Sequence, residues 1–277
     1  MTYPIILAHG VCRFDVVWSD ALGLDNCDDE STDKLHYFRG IRTMLKKKGY
    51  TVFHSRVPWG ERVDNRAEAL RKIVQRVLTD TGAGKVNIIA HSMGGLDSRR
   101  MMFNDRDHGR IHAHIASLTT LSTPHWGSPF ADWGVPRFNR VLTMARNIGL
   151  DLEAFKDLTV EACTAFNRDP RVVAFEEDAA QHIRFQTYAG EQKFWAVFDA
   201  LKLSYYIIEQ AEGANDGLVS VQSAKWQDRF FKGVIENADH VNELGWWDTA
   251  QVWAHEGEAD LLKRIHGLYA DIAAGLP

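Results

Sequence analysis

The sequence predicts an α/β fold: a mostly parallel central sheet flanked by helices, with a helical insertion. Three observations lead there. Short apolar runs alternate with amphipathic stretches along most of the chain, the pattern of strands joined by crossover helices. One apolar run ends abruptly at a serine framed by small residues, Ala90-His91-Ser92-Met93-Gly94. The alternation then lapses between about 130 and 180, where helical patterns follow one another without a strand. With 277 residues, 45% of them hydrophobic, the chain can bury ~70–75% of its unfolded surface as one large domain over 1–277.

The elements follow in order. "YPIILAHG" is a buried strand. In "DKLHYFRGIRTMLKKKG" the residues Leu35, Phe38, Ile41 and Leu45 recur at helical spacing, and Gly49 stops the helix. "YTVFHSRV" is the next strand. "DNRAEALRKIVQRVLTDTG" puts Ala67, Leu70, Val74, Val77 and Leu78 on one face; Asn65 can cap it, with Glu68 three residues on, and Gly82 ends it. "KVNIIA" feeds the Ser92 turn, "LDSRRMMF" is the following helix and "IASLTTLST" the next strand. The insertion at 130–180 carries two amphipathic patterns, Phe138, Val141, Leu142, Ala145, Ile148 and then Leu152, Phe155, Leu158, Ala162, Phe166. No Pro/Gly/Ser-rich linker flanks it, so it belongs to the same domain. "IRFQTYAG" resumes the sheet. An irregular stretch over 191–214, the loop "GANDGLVS", a short apolar run near "FFKGVIENADH" and a helix from about 256 complete the chain.

Composition narrows the function classes. The net charge is −5 and the basic residues are dispersed, which argues against a nucleic-acid partner. The run Lys46-Lys47-Lys48 suits the C-terminal end of a helix dipole. No apolar stretch approaches the ~20 residues of a transmembrane segment. No basic, apolar and small-residue leader precedes the first strand. Cys12, Cys27 and Cys163 are three cysteines without metal-ligand spacing, read as free thiols. A cytoplasmic location is the expectation.

Ser92 is the candidate nucleophile. A strand that turns at once into a helix crowds the positions two before and two after the serine, and Ala90 and Gly94 meet that demand. A hydroxyl needs a base to take its proton and a carboxylate to orient that base, in the chain order serine, acid, histidine. Of twelve histidines, His9 and His91 sit too near their own strands, His125 precedes the acid, and His255 and His266 lie by the last helix. His240, opening a polar loop after the last apolar run, is the candidate base. Asp216, in the turn-forming "GANDGLVS", is the candidate acid; an Asx-turn is its alternative role. Asp239 is disfavoured because a sequence neighbour seldom turns onto the ring nitrogen. Backbone N–H groups of Met93 and Val11, the latter following Gly10 in "AHGV", are the candidate oxyanion donors. Gly10, Trp126 and Trp246 are candidate substrate contacts, with core and rim packing the ordinary role of the tryptophans.

These stretches, with "SLTTLSTPHWGSPFAD", "DLTVEACTAFN", "NDGLVSVQSA" and "DHVNEL", occur in the order found in the bacterial triacylglycerol lipases of the α/β-hydrolase superfamily, which the chain resembles over most of its length. The resemblance implies an α/β-hydrolase fold with a lid at about 130–165, the triad Ser92, Asp216 and His240, and oxyanion donors Val11 and Met93. It implies an acylglycerol or other lipid ester as substrate and transient contact with a lipid interface. The sequence also departs from that family. Asn242 and Trp246 stand at two calcium-ligand positions, and Gln222 stands where the family has a disulfide cysteine. No metal, no other cofactor and no secretion foldase are therefore expected. A soluble carboxylesterase for short acyl chains, an acyltransferase or thioesterase on the same triad, and a non-catalytic binding module are the alternatives.

Overall fold

The computed structural model describes residues 2–11, 33–145, 153–254 and 258–277. Its centre is a sheet of six strands, β1 (Ile5–Ala8), β2 (Val52–His54), β3 (Val86–His91), β4 (Ile115–Leu121), β5 (Arg184–Glu191) and β6 (Phe231–Glu236). Their spatial order is β2-β1-β3-β4-β5-β6, and every pairing is parallel. All residues of β1, β3 and β4 are buried, which is why they read as unbroken apolar runs rather than alternating ones. The register sets Ala8 beside Ala90, His91 beside Leu121 and Leu121 beside Tyr188, so the carboxyl ends of the central strands form one edge. The chain leaves β1 for β2 on one side and returns to β3 on the other. The topological switch point therefore lies between β1 and β3, where ligand crevices form in open α/β sheets.

Helices cover both faces. On one, Ile6, Ala8, Ile88, Ala90 and Leu118 pack with Leu70, Val74 and Val77 of α2 and with Met101 and Met102 of α3. On the other, Ile5, Leu7, Ile89 and Leu121 pack with Ile41 and Leu45 of α1 and with Ile265, Tyr269 and Ile272 of α11. Here α1 is Ile41–Lys47, α2 Val63–Thr81, α3 Met93–Asn104 and α11 Glu258–Ala274. Successive β1 residues go to opposite faces because strand side chains alternate. Each buried Ile or Leu contributes ~1.5–3 kcal/mol.

Four helices stand between β4 and β5: α4 (Pro129–Ala145), α5 (Glu153–Asp157), α6 (Val160–Arg168) and α7 (Pro170–Ala179). Asp169 caps α7 by accepting from Arg171 N–H, with Pro170 in its first turn. Arg99 of α3 ties this group to the sheet. Its buried guanidinium donates to Glu176 at 2.8 Å and Asn167 at 2.7 Å, and lies 4.2 Å over the Trp226 ring. After β5 come α8 (Lys202–Glu212) and α9 (Val221–Ala224), and after β6 comes α10 (Thr249–Ala254).

The structure corrects several local expectations. Residues 33–48 are not one helix: a 3-10 turn over Asp33–Leu35 is separated from α1 by Gly40, whose φ of 68° is left-handed, and Leu35 stays exposed. Asn65 does not cap α2. That helix starts at Val63, whose N–H is taken at 2.7 Å by Asp157, a side chain 94 residues away. The stretch 191–214 is not irregular, since it contains α8. There Tyr205 and Ile208 are buried while Leu203 and Tyr206 face outward, so apolar residues on two faces blur the helical period. Strand β2 is only three residues long, a short edge that offers little to unwanted pairing. Gly82 does end α2, with φ 66°. The Phe138–Ile148 stripe falls on side chains outside the described residues, as do Leu152, Cys12, Cys27 and His255.

Cys163 is buried, and its thiol faces the carbonyls of Pro124 and Asp157 at 3.5 and 3.3 Å. Burial pushes the thiol up to about 12, so almost none is thiolate at neutral pH. Cys163 should resist iodoacetamide in the native protein and react once it is unfolded, as read by peptide mass spectrometry. Native-state labelling of Cys163 at the rate of a free thiol would contradict its placement.

Candidate active site

Ser92 stands at the joint between β3 and α3 with φ 56° and ψ −134°, a backbone conformation that costs of order 1–3 kcal/mol and must be held by its surroundings. The joint is held from three sides. Ser92 N–H donates to Leu121 of β4, and its carbonyl accepts from Thr123 Oγ1 at 2.7 Å and from Gly95 N–H. The third side is β1. A Cβ on Gly94 would lie 2.4 Å from the Ala8 carbonyl oxygen, and one on Gly10 would lie 2.6 Å from Ser92 Cβ. The steric demand read from the sequence therefore has identified partners.

Gly10 and Val11 follow β1 at the switch point. Val11 packs against the apolar cluster that contains Met93, Leu96 and Val63, which places the two candidate oxyanion residues, Val11 and Met93, at one cluster. The loop carrying Gly10 is braced from below by a fully buried ion pair. Arg66 of α2 bonds Asp97 of α3 through Nε at 3.0 Å and Nη2 at 2.6 Å, and donates to the His9 carbonyl at 3.0 Å and that of Pro58 at 2.7 Å. Burial pushes the Asp97 carboxyl up to about 6 against the pull of Arg66.

Asp216 and His240 meet across two loops. His240 Nδ1 lies 2.7 Å from Asp216 Oδ2, and His240 N–H donates to the Asp216 carbonyl at 2.9 Å. Asp216 Oδ1 also accepts from Leu218 and Val219 N–H at 2.8 and 2.7 Å. Asp216 thus makes an Asx-type turn and orients the histidine at once, one oxygen for each. With Nδ1–H donated to the carboxylate, Nε2 is the basic nitrogen of the ring. The His240 ring is 4.4 Å, centroid to centroid, from that of His91, the residue before Ser92, which brings the base to the nucleophile's joint. Among the described residues no hydrogen bond links Ser92 Oγ to His240. Such catalytic bonds often tighten only when substrate is bound. Ser92 and His240 each keep 6% of their surface exposed, whereas Asp216 keeps none.

The remaining candidates have mainly structural contacts. Asp239 points away from the ring: its carboxylate takes N–H bonds from Val241, Asn242 and Phe198 and from the Gln251 amide, and burial pushes it up to about 6. Trp126 donates to the Trp226 carbonyl, and Trp246 to that of Tyr37 while lying under Arg39. At the two calcium-ligand positions Trp246 has no side-chain oxygen, and Asn242 is engaged within the protein: its Nδ2 donates to the Trp246 carbonyl and Gln251 Oε1, and its Oδ1 accepts Asp239 N–H. No cluster of three or more His, Cys, Asp or Glu suited to a metal occurs among the described residues.

Sequence reading missed Arg66–Asp97 and a buried Glu243 beside Asp216. A signal existed for Arg66, which lies on the apolar face of α2 four residues before Leu70. None marked Glu243, a charged residue in a polar loop.

Residues 56–209 match the family described as the PGAP1-like alpha/beta domain, and residues 2–106 match that described as lipase class 2. Triacylglycerol lipase 2 of Saccharomyces cerevisiae is 28% identical over 90% of this chain and 82% of its own length. A triacylglycerol lipase of Burkholderia plantarii is 34% identical over 47% of this chain and 32% of its own, so the chain spans only about a third of that bacterial relative. Among solved structures, the metagenomic carboxyl esterase MGS0156 superposes with TM-score 0.66 at 16% identity, covering 98% of this chain and 76% of that one.

Two substitutions check the scaffold. Gly94→Ala should cost ~1–3 kcal/mol in urea unfolding, because its methyl meets the Ala8 carbonyl. Arg66→Met should cost ~3–5 kcal/mol by leaving Asp97 buried and unpaired, and adding Asp97→Leu should recover most of that loss.

Proposed function

The chain belongs to the family of PGAP1-like α/β domains, within the α/β-hydrolase group that its sequence resembles, and on that premise we propose a serine ester hydrolase acting on acylglycerols through an acyl-enzyme. The observation that carries the reading is the buried Asp216–His240 pair at 2.7 Å, set beside the strained Ser92 joint. In this reading His240 Nε2 takes the Ser92 proton as Oγ attacks the ester carbonyl. Asp216 holds the ring in the required tautomer and stabilises the imidazolium. The Val11 and Met93 N–H groups receive the oxyanion. His240 then protonates the departing alcohol and activates the water that releases the acid.

A lipid ester is favoured over a freely soluble one by the exposed surface near α4. Trp195, Leu203 and Tyr206 are all more than half exposed around α8, which packs on α4. An amphipathic aromatic corner of this kind suits transient contact with a lipid interface. The helices between β4 and β5 are then the lid, and Gly10, Trp126 and Trp246 border the acyl path. No helix among the described residues is long and apolar enough to cross a membrane. The free thiol of Cys163 accords with a reducing, cytoplasmic setting. The amide-braced loop after His240 accords with catalysis independent of calcium.

Ser92→Ala should abolish tributyrin hydrolysis and labelling by a serine-directed phosphonate, while Asp216→Asn should lower kcat by ~10⁴. A fully active Ser92→Ala enzyme would overturn the assignment. The rate should rise sharply as tributyrin passes its solubility limit; saturation below that limit would favour the soluble carboxylesterase instead. Added EDTA should leave both rate and Tm unchanged, and a fall in either would point to a metal.

A further inference from the structure

The triad acid does not stand alone. Glu243, three residues after His240, is fully buried, and its carboxyl lies against that of Asp216. Three segments border the two acids. Ser122, at the end of β4, donates through Oγ to Glu243 Oε1 at 2.6 Å and accepts Gly190 N–H of β5 at 2.9 Å. A Cβ on Gly190 would fall 2.0 Å from Glu243 Oε1 and 3.0 Å from Asp216 Cβ, so the strand closes directly over the pair. Glu243 Oε2 is 3.5 Å from His91 Nε2, and among the described residues no N–H or hydroxyl group donates to Oε2.

The donor count decides which acid is charged. Asp216 receives three N–H groups, from Leu218, Val219 and His240. Glu243 receives only the Ser122 hydroxyl. The other titratable groups near it bring no permanent positive charge: Asp216, Asp239, Tyr269 and His91, the last joined to Tyr37 by a 2.8 Å bond at Nδ1. Burial and His240 hold the His91 imidazole in its neutral form. Two adjacent carboxylates in such a place cannot both ionise at acceptable cost, and the less solvated one keeps a proton. Desolvation and the neighbouring carboxylates push Glu243 well above the ordinary range, in line with the geometry.

We propose that Glu243 is a positioning residue that works as a neutral carboxylic acid, donating a hydrogen bond to Asp216 so that the pair presents one negative charge to His240. It rests on the reading of Asp216 and His240 as acid and base. In this arrangement Glu243 fixes the Asp216 carboxylate from the side that Gly190 seals. It keeps Oδ2 aimed at the ring and prevents a second buried charge from competing for the imidazolium. A neutral buried acid in a donor role is an established device in active sites.

The test compares Glu243→Leu with Glu243→Gln, since glutamine keeps both an acceptor for Ser122 and a donor for Asp216 without charge. Leucine should lower kcat ~10–10²-fold, the worth of a hydrogen bond to a charged group, with little change in KM. Glutamine should restore most of that loss. Difference infrared spectra of wild type minus Glu243→Gln at neutral pH should contain the carbonyl stretch of a protonated carboxylic acid. Glutamine as impaired as leucine, a carboxylate band in place of the acid band, or a fully active leucine variant would each overturn the proposal. If the leucine variant fails to fold, the infrared comparison on the glutamine variant decides alone. That spectrum does not depend on turnover, so a wild-type protein without ester hydrolysis or Ser92 labelling would refute the proposed function separately.

Discussion

The structure depends on how closely the end of β1 passes the first turn of α3. At that crossing the Ala8 carbonyl reaches the space that any side chain at position 94 would fill, and Gly10 lies against Ser92 itself. Parallel pairing of β1 with β3 brings the two chain segments level, and the switch in strand order leaves the crevice open above them. The serine can hold an unfavourable backbone conformation because β4, Thr123 and β1 all confine it. The candidate nucleophile and the candidate oxyanion loop are two sides of one packing contact.

Around this contact the carboxyl edge of the sheet is stiffened by polar groups as well as by apolar packing. Each buried acid there has its own set of partners, and the set determines its role. Asp97 is matched by Arg66 and serves the loop after β1. Asp239 gathers backbone N–H groups and the Gln251 amide, and so shapes the turn that carries His240. Asp216 divides its two oxygens between its own turn and the histidine. Buried polar groups tolerate no missing partner, so these networks hold the loops as firmly as a core would.

The parts of the site that were legible in the sequence are those whose demands are local. Ala90 and Gly94 are two residues from Ser92, and that spacing, with an apolar run before it and a helical stretch after, marks a strand–turn–helix corner. The "NDG" turn and the polar loop at His240 are likewise set by neighbours in the chain. The parts that were not legible depend on distant partners. Val63 starts a helix because Asp157, 94 positions away, takes its N–H. The α8 helix was hidden because its apolar residues serve two surfaces. Glu243 looks like any solvated loop acid until β4 and β5 close over it.

The sequence by itself determined most of the order of strands and helices and the parallel sheet, and it singled out Ser92, Asp216 and His240 as the candidate set, because periodicity, turn chemistry and steric crowding act between residues a few positions apart. Only the tertiary structure decided which acid faces the histidine, which one stands behind it, and that a loop expected to lose calcium is braced by Asn242 and Gln251. Those outcomes turn on direction and burial. Both are set by segments that meet only when the chain is folded.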